Sequence, residues 1–171
     1  MNNSDRLAAT LGKTLEKQGL RISCAESCTG GGIAYAITSI SGSSSWFDQS
    51  WVTYSNQAKH DLLGVDLALL ARYGAVSSQT AESMVAGVVK RTSAQVAVAV
   101  TGIAGPDGGT PDKPVGLVWF GFAIQGQITT VAQQFLGSRA KVRQQAIDFA
   151  LAYLNERLVE CGGQSTDNLA G

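Results

Sequence analysis

The chain has 171 residues, 44% of them hydrophobic, and its 13 Lys+Arg balance 13 Asp+Glu. That size buries a single core without metal or disulfide staples, and the even charge lacks the cationic excess that non-specific nucleic-acid binding requires. No basic segment leads into an apolar run with a cleavage site, no apolar stretch reaches membrane-spanning length, and three irregularly spaced cysteines with one histidine, His60, supply no familiar structural zinc set. One soluble cytoplasmic domain with free thiols is expected, with no nucleic-acid partner and no membrane. In chain order, Ser4 can cap a first helix whose Leu7, Ala8, Leu11 and Leu15 form an apolar stripe ended by Gly19. Residues 21–25 read as a short strand, and Ala25-Glu26-Ser27-Cys28-Thr29-Gly30-Gly31-Gly32 as a turn into a helix over 29–40. After a polar loop at 41–45, residues 51–54 have the β-branched and aromatic content of a strand. Asn56 is the expected cap of a helix with Ala58, Leu62 and Leu63 inward and Lys59 near its first turn, followed by Gly64 and a short helix over 66–72.

Ser77 or Ser78 opens an amphipathic helix in which Ala81, Met84, Val85, Val88 and Val89 recur at three- and four-residue steps. Residues 95–100 form an apolar run that suits a strand buried on both faces, and a second glycine-rich loop, Thr101-Gly102-Ile103-Ala104-Gly105-Pro106-Asp107-Gly108-Gly109, follows it. Strands over 115–124 and 128–135 meet across Gly126 as a hairpin. The last helix starts near Ser138 with Val142, Ala146, Phe149, Ala150, Tyr153 and Leu154 on its apolar face; the domain is expected to span 1–161, with a flexible tail at 162–171. Alternating helices and buried strands specify a three-layer α/β fold with a mixed, mostly parallel sheet. Both glycine-rich loops leave strands at their carboxyl ends, where ligand sites of open α/β sheets collect, so a shared pocket is expected.

The chemistry centres on Ser27. A Ser-His-Asp triad would have to use His60, the Ser-x-x-Lys and G-x-S-x-G spacings are absent, and no Lys-Ser or Lys-Thr follows Gly32 as a phosphate-binding loop requires. A serine with a lysine base remains open, because burial lowers a lysine's pKa and frees its amine to accept the hydroxyl proton; Lys59 is the candidate, against its reading as a solvated helix residue. Cys28 is either a rival nucleophile or a small buried hydrophobe, and Tyr54 either a packed strand aromatic or a hydroxyl aimed at the pocket. Arg139 and Arg143, one helical turn apart, are exposed charges or a two-pronged phosphate clamp.

Several ordered blocks resemble the CinA C-terminal domain family from about Ser4 to Leu158. They are Ala25-Glu26-Ser27-Cys28-Thr29-Gly30-Gly31, Gly42-Ser43-Ser44 with Trp46-Phe47, Val52-Thr53-Tyr54-Ser55-Asn56 with Ala58-Lys59, Gly74-Ala75-Val76-Ser77, and residues 102–109 with Lys113-Pro114-Val115-Gly116. The resemblance implies an α/β/α sandwich and an amidohydrolase that deamidates nicotinamide mononucleotide to nicotinate mononucleotide and ammonia without a cofactor or metal. It implies Ser27 as nucleophile, Lys59 as general base and Tyr54 as an assisting hydroxyl. Thr29, Gly30, Gly31, Asn56, Thr101, Gly102, Gly105, Asp107, Arg139 and Arg143 are the expected substrate contacts. Ser78 and Ser138 depart from the family's usual acidic residues, so a catalytically silent nucleotide-binding or interaction domain is the alternative. The Trp46-Phe47 pair would cover the pocket or meet a second subunit in a homodimer.

Overall fold

The structure is a computed structural model that describes the backbone of residues 1–167 and side chains as far as Cys161. Five strands form one sheet: β1 (Ile22–Glu26), β2 (Phe47–Val52), β3 (Val96–Gly102), β4 (Leu117–Ile124) and β5 (Gln127–Gln134), in the order β2-β1-β3-β4-β5. β1 pairs parallel with both β2 and β3, whereas β3–β4 and β4–β5 are antiparallel. All strands but β4 therefore run the same way. The β4–β5 turn has positive φ at both Gln125 (47°) and Gly126 (88°), a type I′ geometry whose twist suits a two-residue hairpin.

Helices α1 (Asn3–Gln18), α2 (Gly32–Thr38) and α6 (Arg139–Asp167) pack on one face, and α3 (Asn56–Leu63), α4 (Leu67–Tyr73) and α5 (Ser78–Arg91) on the other. The domain is thus an α/β/α sandwich. The two faces differ in bulk because side chains alternate along each strand. Val96, Val98, Val100, Val118, Phe120 and Phe122 point to the α1/α2/α6 side, while Ala25, Ala97, Ala99 and Ala123 point to the other. The small-residue face lets α5 lie close to the sheet, and a Cβ on Gly121 would come within 2.4 Å of Ala81 O. No described helix is long and apolar enough to cross a membrane.

Several elements depart from the sequence reading. β2 occupies Phe47–Val52 instead of 51–54, because an edge strand paired on one side tolerates the polar Asp48, Gln49 and Ser50 while it follows β1. Thr53 adds one further rung through its N–H to Glu26 O (2.8 Å), and Tyr54 then belongs to the link into α3. α2 begins at Gly32 because Gly30 and Gly31 take positive φ (59° and 98°). Ser55, not Asn56, caps α3 by accepting from Ala58 N (3.0 Å). On α3 the buried residues are Lys59 and Leu63, and Leu62 faces solvent. α6 extends to Asp167, past the expected domain end at 161; residues 168–171 of the expected tail lie outside the described residues.

Candidate active site

Ser27 leaves the end of β1 in a turn that is pinned at several points. Its own N–H donates to Val100 O (3.0 Å), tying the turn to β3, and Gly30 N and Gly32 N close back on Ser27 O and Thr29 O, both at 3.0 Å. Glu26, fully buried, organises the rest. Its carboxylate accepts from Thr29 Oγ1 (2.7 Å), Ile33 N (2.8 Å), Ala34 N (3.1 Å) and Ser50 Oγ (3.4 Å). The N-cap of α2, Gly31, has no side chain to offer, so the carboxylate satisfies the helix's first N–H groups from the preceding strand. The positive end of α2 is therefore answered by the chain itself. No backbone carbonyl accepts from the N–H groups of Cys28 and Thr29 among the described residues.

Lys59 meets this turn from the opposite layer. Its position one helical turn before Leu63 places it on the inward face of α3, and it is only 1% exposed. Nζ lies 2.8 Å from Thr53 O, 3.1 Å from Tyr54 O and 3.1 Å from Ser27 Oγ. No carboxylate lies within ion-pair distance of it among the described residues. Burial without a counter-ion penalises the ammonium, and the amine's pKa falls from 10.5 to about 8. Burial has the reverse effect on Cys28, whose thiol is pushed up to about 11, with the Glu26 charge adding to the rise. A thiol held so far above neutrality is a poor nucleophile.

Ser27, Cys28, Tyr54 and Lys59 line a cavity of about 270 Å³ together with Ala75, Val76 and the loop from Thr101 to Gly108. Ser27 and Cys28 of the first glycine-rich loop thus share a pocket with the second loop, which puts Gly102, Gly105 and Asp107 in its wall, whereas the glycines of the first loop do not line it. Thr101 is buried and donates from Oγ1 to Ala75 O (2.8 Å), joining the second loop to the segment before α5. At the rim, Arg139 donates to Gly105 O (2.8 Å) and to the Tyr54 hydroxyl (3.1 Å). Tyr54 is 59% exposed, with its hydroxyl on Arg139, and it is the backbone carbonyl of this residue that lies beside Lys59 and Ser27.

The remaining expected contacts sit elsewhere. Thr29, Gly30, Gly31 and Arg143 line a second cavity, of about 480 Å³, behind the serine turn, and Asn56 lines neither. Arg139 and Arg143, neighbours on α6, consequently serve different cavities. Glu26 and Thr53 carry no sequence signal for their places in this site. A carboxylate that caps a helix seven and eight residues downstream has no counterpart in the three-residue capping-box spacing, and a backbone carbonyl leaves no trace in a side-chain pattern.

The CinA C-terminal domain family matches residues 4–158. A protein of Enterobacter agglomerans named nicotinamide-nucleotide amidohydrolase PncC is 56% identical over 146 residues, which cover 85% of this chain and 89% of that protein. Its namesake in Escherichia coli strain K12 is 45% identical across 91% of this chain and 94% of its own. Among solved structures, a CinA superfamily protein of Klebsiella pneumoniae superposes with a TM-score of 0.89 at 36% identity, covering 93% of this chain and 99% of that one. A competence/damage inducible protein of Agrobacterium tumefaciens gives 0.87 at 44% identity, covering 90% and 94%. With its sequence matched over nearly its whole length and its fold reproduced, the chain belongs to the CinA C-terminal domain family.

Proposed function

We propose that this chain deamidates nicotinamide mononucleotide through an acyl-enzyme on Ser27, with Lys59 as the general base. The observation that carries the reading is the surroundings of Lys59 Nζ. A neutral amine has two N–H donors and one lone pair. Thr53 O and Tyr54 O can take the two donors, which leaves the lone pair for the Ser27 hydroxyl at 3.1 Å. The fixed carbonyls thus select the orientation a base needs, and burial brings the uncharged form within reach by lowering the pKa to about 8.

In the first half-reaction Ser27 Oγ attacks the carboxamide carbon and Lys59 takes the hydroxyl proton. The open N–H groups of Cys28 and Thr29 are the donors for the resulting oxyanion. The ammonium of Lys59 returns the proton to the departing nitrogen, and the C–N bond breaks to release ammonia. Water then attacks the ester, Lys59 takes its proton, and the carboxylate leaves as Ser27 Oγ is reprotonated. At the far end of the substrate, Arg139 is the cation on the cavity rim that suits the phosphate, with its present bonds to Gly105 O and the Tyr54 hydroxyl exchanged for phosphate oxygens. Relatives named nicotinamide-nucleotide amidohydrolase at 45–56% identity support the same substrate.

Ammonia release from nicotinamide mononucleotide, measured for the wild type, Ser27→Ala and Lys59→Met, tests the proposal. Turnover by the wild type alone is expected. A wild type that binds the nucleotide but releases no ammonia would instead establish a silent binding domain.

A further inference from the structure

Two N–H groups stand open in the nucleophile turn, and something must fix the direction in which they point. In a trans peptide unit the carbonyl and the N–H are antiparallel, so holding the oxygen of one residue aims the N–H of the next. The Cys28–Thr29 peptide is trans. Its oxygen is held by Arg143, whose Nε donates to Cys28 O (3.0 Å) and whose Nη2 donates to Thr29 O (3.4 Å).

Arg143 makes these bonds from behind the turn. It lines the cavity of about 480 Å³ on the side of Gly30, Gly31 and Gln144, and it does not line the Ser27 cavity. A carbonyl drawn toward that rear cavity directs the Thr29 N–H of the same peptide unit away from that cavity. No backbone carbonyl accepts from that N–H among the described residues, and the alternative donor, the N–H of Ser27 itself, is committed to Val100 O at 3.0 Å. Thr29 is steadied from its other side as well, because its hydroxyl is bound by the Glu26 carboxylate at 2.7 Å. Room for the guanidinium comes from Gly30, where a Cβ would stand 3.1 Å from Arg143 Nη2. No carboxylate lies within ion-pair distance of Arg143 among the described residues, and its positive charge stands behind the peptide that would face the oxyanion.

We infer that Arg143 is a positioning residue for acyl transfer: by holding the carbonyl of Cys28 it presents the Thr29 N–H to the oxyanion formed over Ser27. The inference rests on the amidohydrolase reading above. It assigns Arg143 to the chemical step and leaves the substrate's phosphate to Arg139, which separates two arginines that their spacing on α6 made look like one clamp.

Steady-state deamidation of nicotinamide mononucleotide by the wild type, Arg143→Ala and Arg143→Lys decides the matter, with Ser27→Ala as the inactive control. Removing the support of one oxyanion donor lowers kcat by about 100-fold, while KM stays within about twofold. Arg143→Lys recovers part of the loss, since one ammonium can reach one carbonyl, and guanidinium ion added to Arg143→Ala raises its kcat. A variant with the kcat and KM of the wild type overturns the inference, and so does a rise in KM at unchanged kcat, which would place the phosphate on Arg143. Should Arg143→Ala fail to fold by circular dichroism, Arg143→Gln, with one amide donor for two guanidinium bonds, is read by the same criteria. A wild type that releases no ammonia while Ser27→Ala behaves identically overturns the functional reading itself, and the inference with it.

Discussion

Lys59 Nζ stands 3.1 Å from Ser27 Oγ and, among the described residues, is otherwise met by two backbone carbonyls and no carboxylate. An amine in such surroundings is a base only when deprotonated, and its pKa of about 8 places that change within the ordinary working range of pH. The kcat/KM for nicotinamide mononucleotide is therefore expected to climb with pH through about 8 and level off above it. Initial rates of ammonia release from pH 6 to pH 10 check this. A profile flat between pH 7 and 9 would move the proton acceptor to another group.

The same shift affects stability. The folded-state pKa, about 8, lies below the ordinary 10.5, so between these values the unfolded chain holds a proton that the folded chain has released. Stability at Lys59 accordingly rises with pH across that window and is lower by a constant amount beneath it. A pKa lowered from 10.5 to about 8 corresponds to about 3 kcal/mol. Relative to Lys59→Met, which cannot titrate there, the wild type should gain about that much between pH 8 and 10.5 in urea unfolding. Parallel stability curves for the two proteins across this range would show that the amine is not desolvated.

Cys28 sits next to Ser27 and lines the same cavity, yet its thiol is held near 11 by burial. Cys28→Ala should keep kcat within about threefold of the wild type, because it deletes one small buried group that is not reactive. Iodoacetamide at pH 7 should leave Cys24 and Cys28, both buried, unmodified in the folded protein and reach the half-buried Cys161 first. Loss of activity in step with alkylation of Cys28, read by peptide mass, would contradict the assignment of the nucleophile to Ser27.

What the sequence reveals of this molecule follows the physics of patterning. β3 announces itself as an apolar run because both its faces are covered, and the β1–turn–α2 unit is marked by its glycines. The helix that delivers Lys59 is misread for the same physical reason: a hydrophobic stripe cannot count a lysine, so Ala58, Leu62 and Leu63 look like the inward set. The inward pair is Lys59 with Leu63, and what makes the lysine tolerable there is the carbonyls of Thr53 and Tyr54, groups without a side-chain signature. The Arg139–Arg143 spacing is equally ambiguous, since one helical turn on α6 separates two cavities that only the packed turn between them defines.

Glu26 offers a test of the turn that is independent of the reacting groups. Its buried carboxylate is the acceptor for four donors, two of them first-turn N–H groups of α2. Glu26→Ala strands these donors in a dry interior, and the expected loss is about 3 kcal/mol in urea unfolding. Glu26→Gln, which keeps the shape but offers an amide where two acceptor oxygens stood, should fall between the two. Stability of Glu26→Ala equal to that of the wild type would mean that water replaces the carboxylate without cost.

Gly87 on α5 packs closely against the end of α3, the helix that carries Lys59. A Cβ at this position would come within 2.2 Å of Leu63 O, a backbone atom at the end of α3 that cannot swing aside as a side chain tip can. Gly87→Ala must therefore push α3 away from α5. Lys59 lies one turn earlier on that short helix, so the displacement reaches Nζ, whose 3.1 Å approach to Ser27 Oγ has little slack. Overpacking of this kind costs about 1–3 kcal/mol, against the gain of a few tenths to 1 kcal/mol that replacing a helical glycine gives where space is open. The expected outcome is a lowered Tm together with a kcat reduced about tenfold or more and a nearly unchanged KM. A stabilised Gly87→Ala with full kcat would show that α3 has freedom to move without disturbing the contact between Lys59 and Ser27.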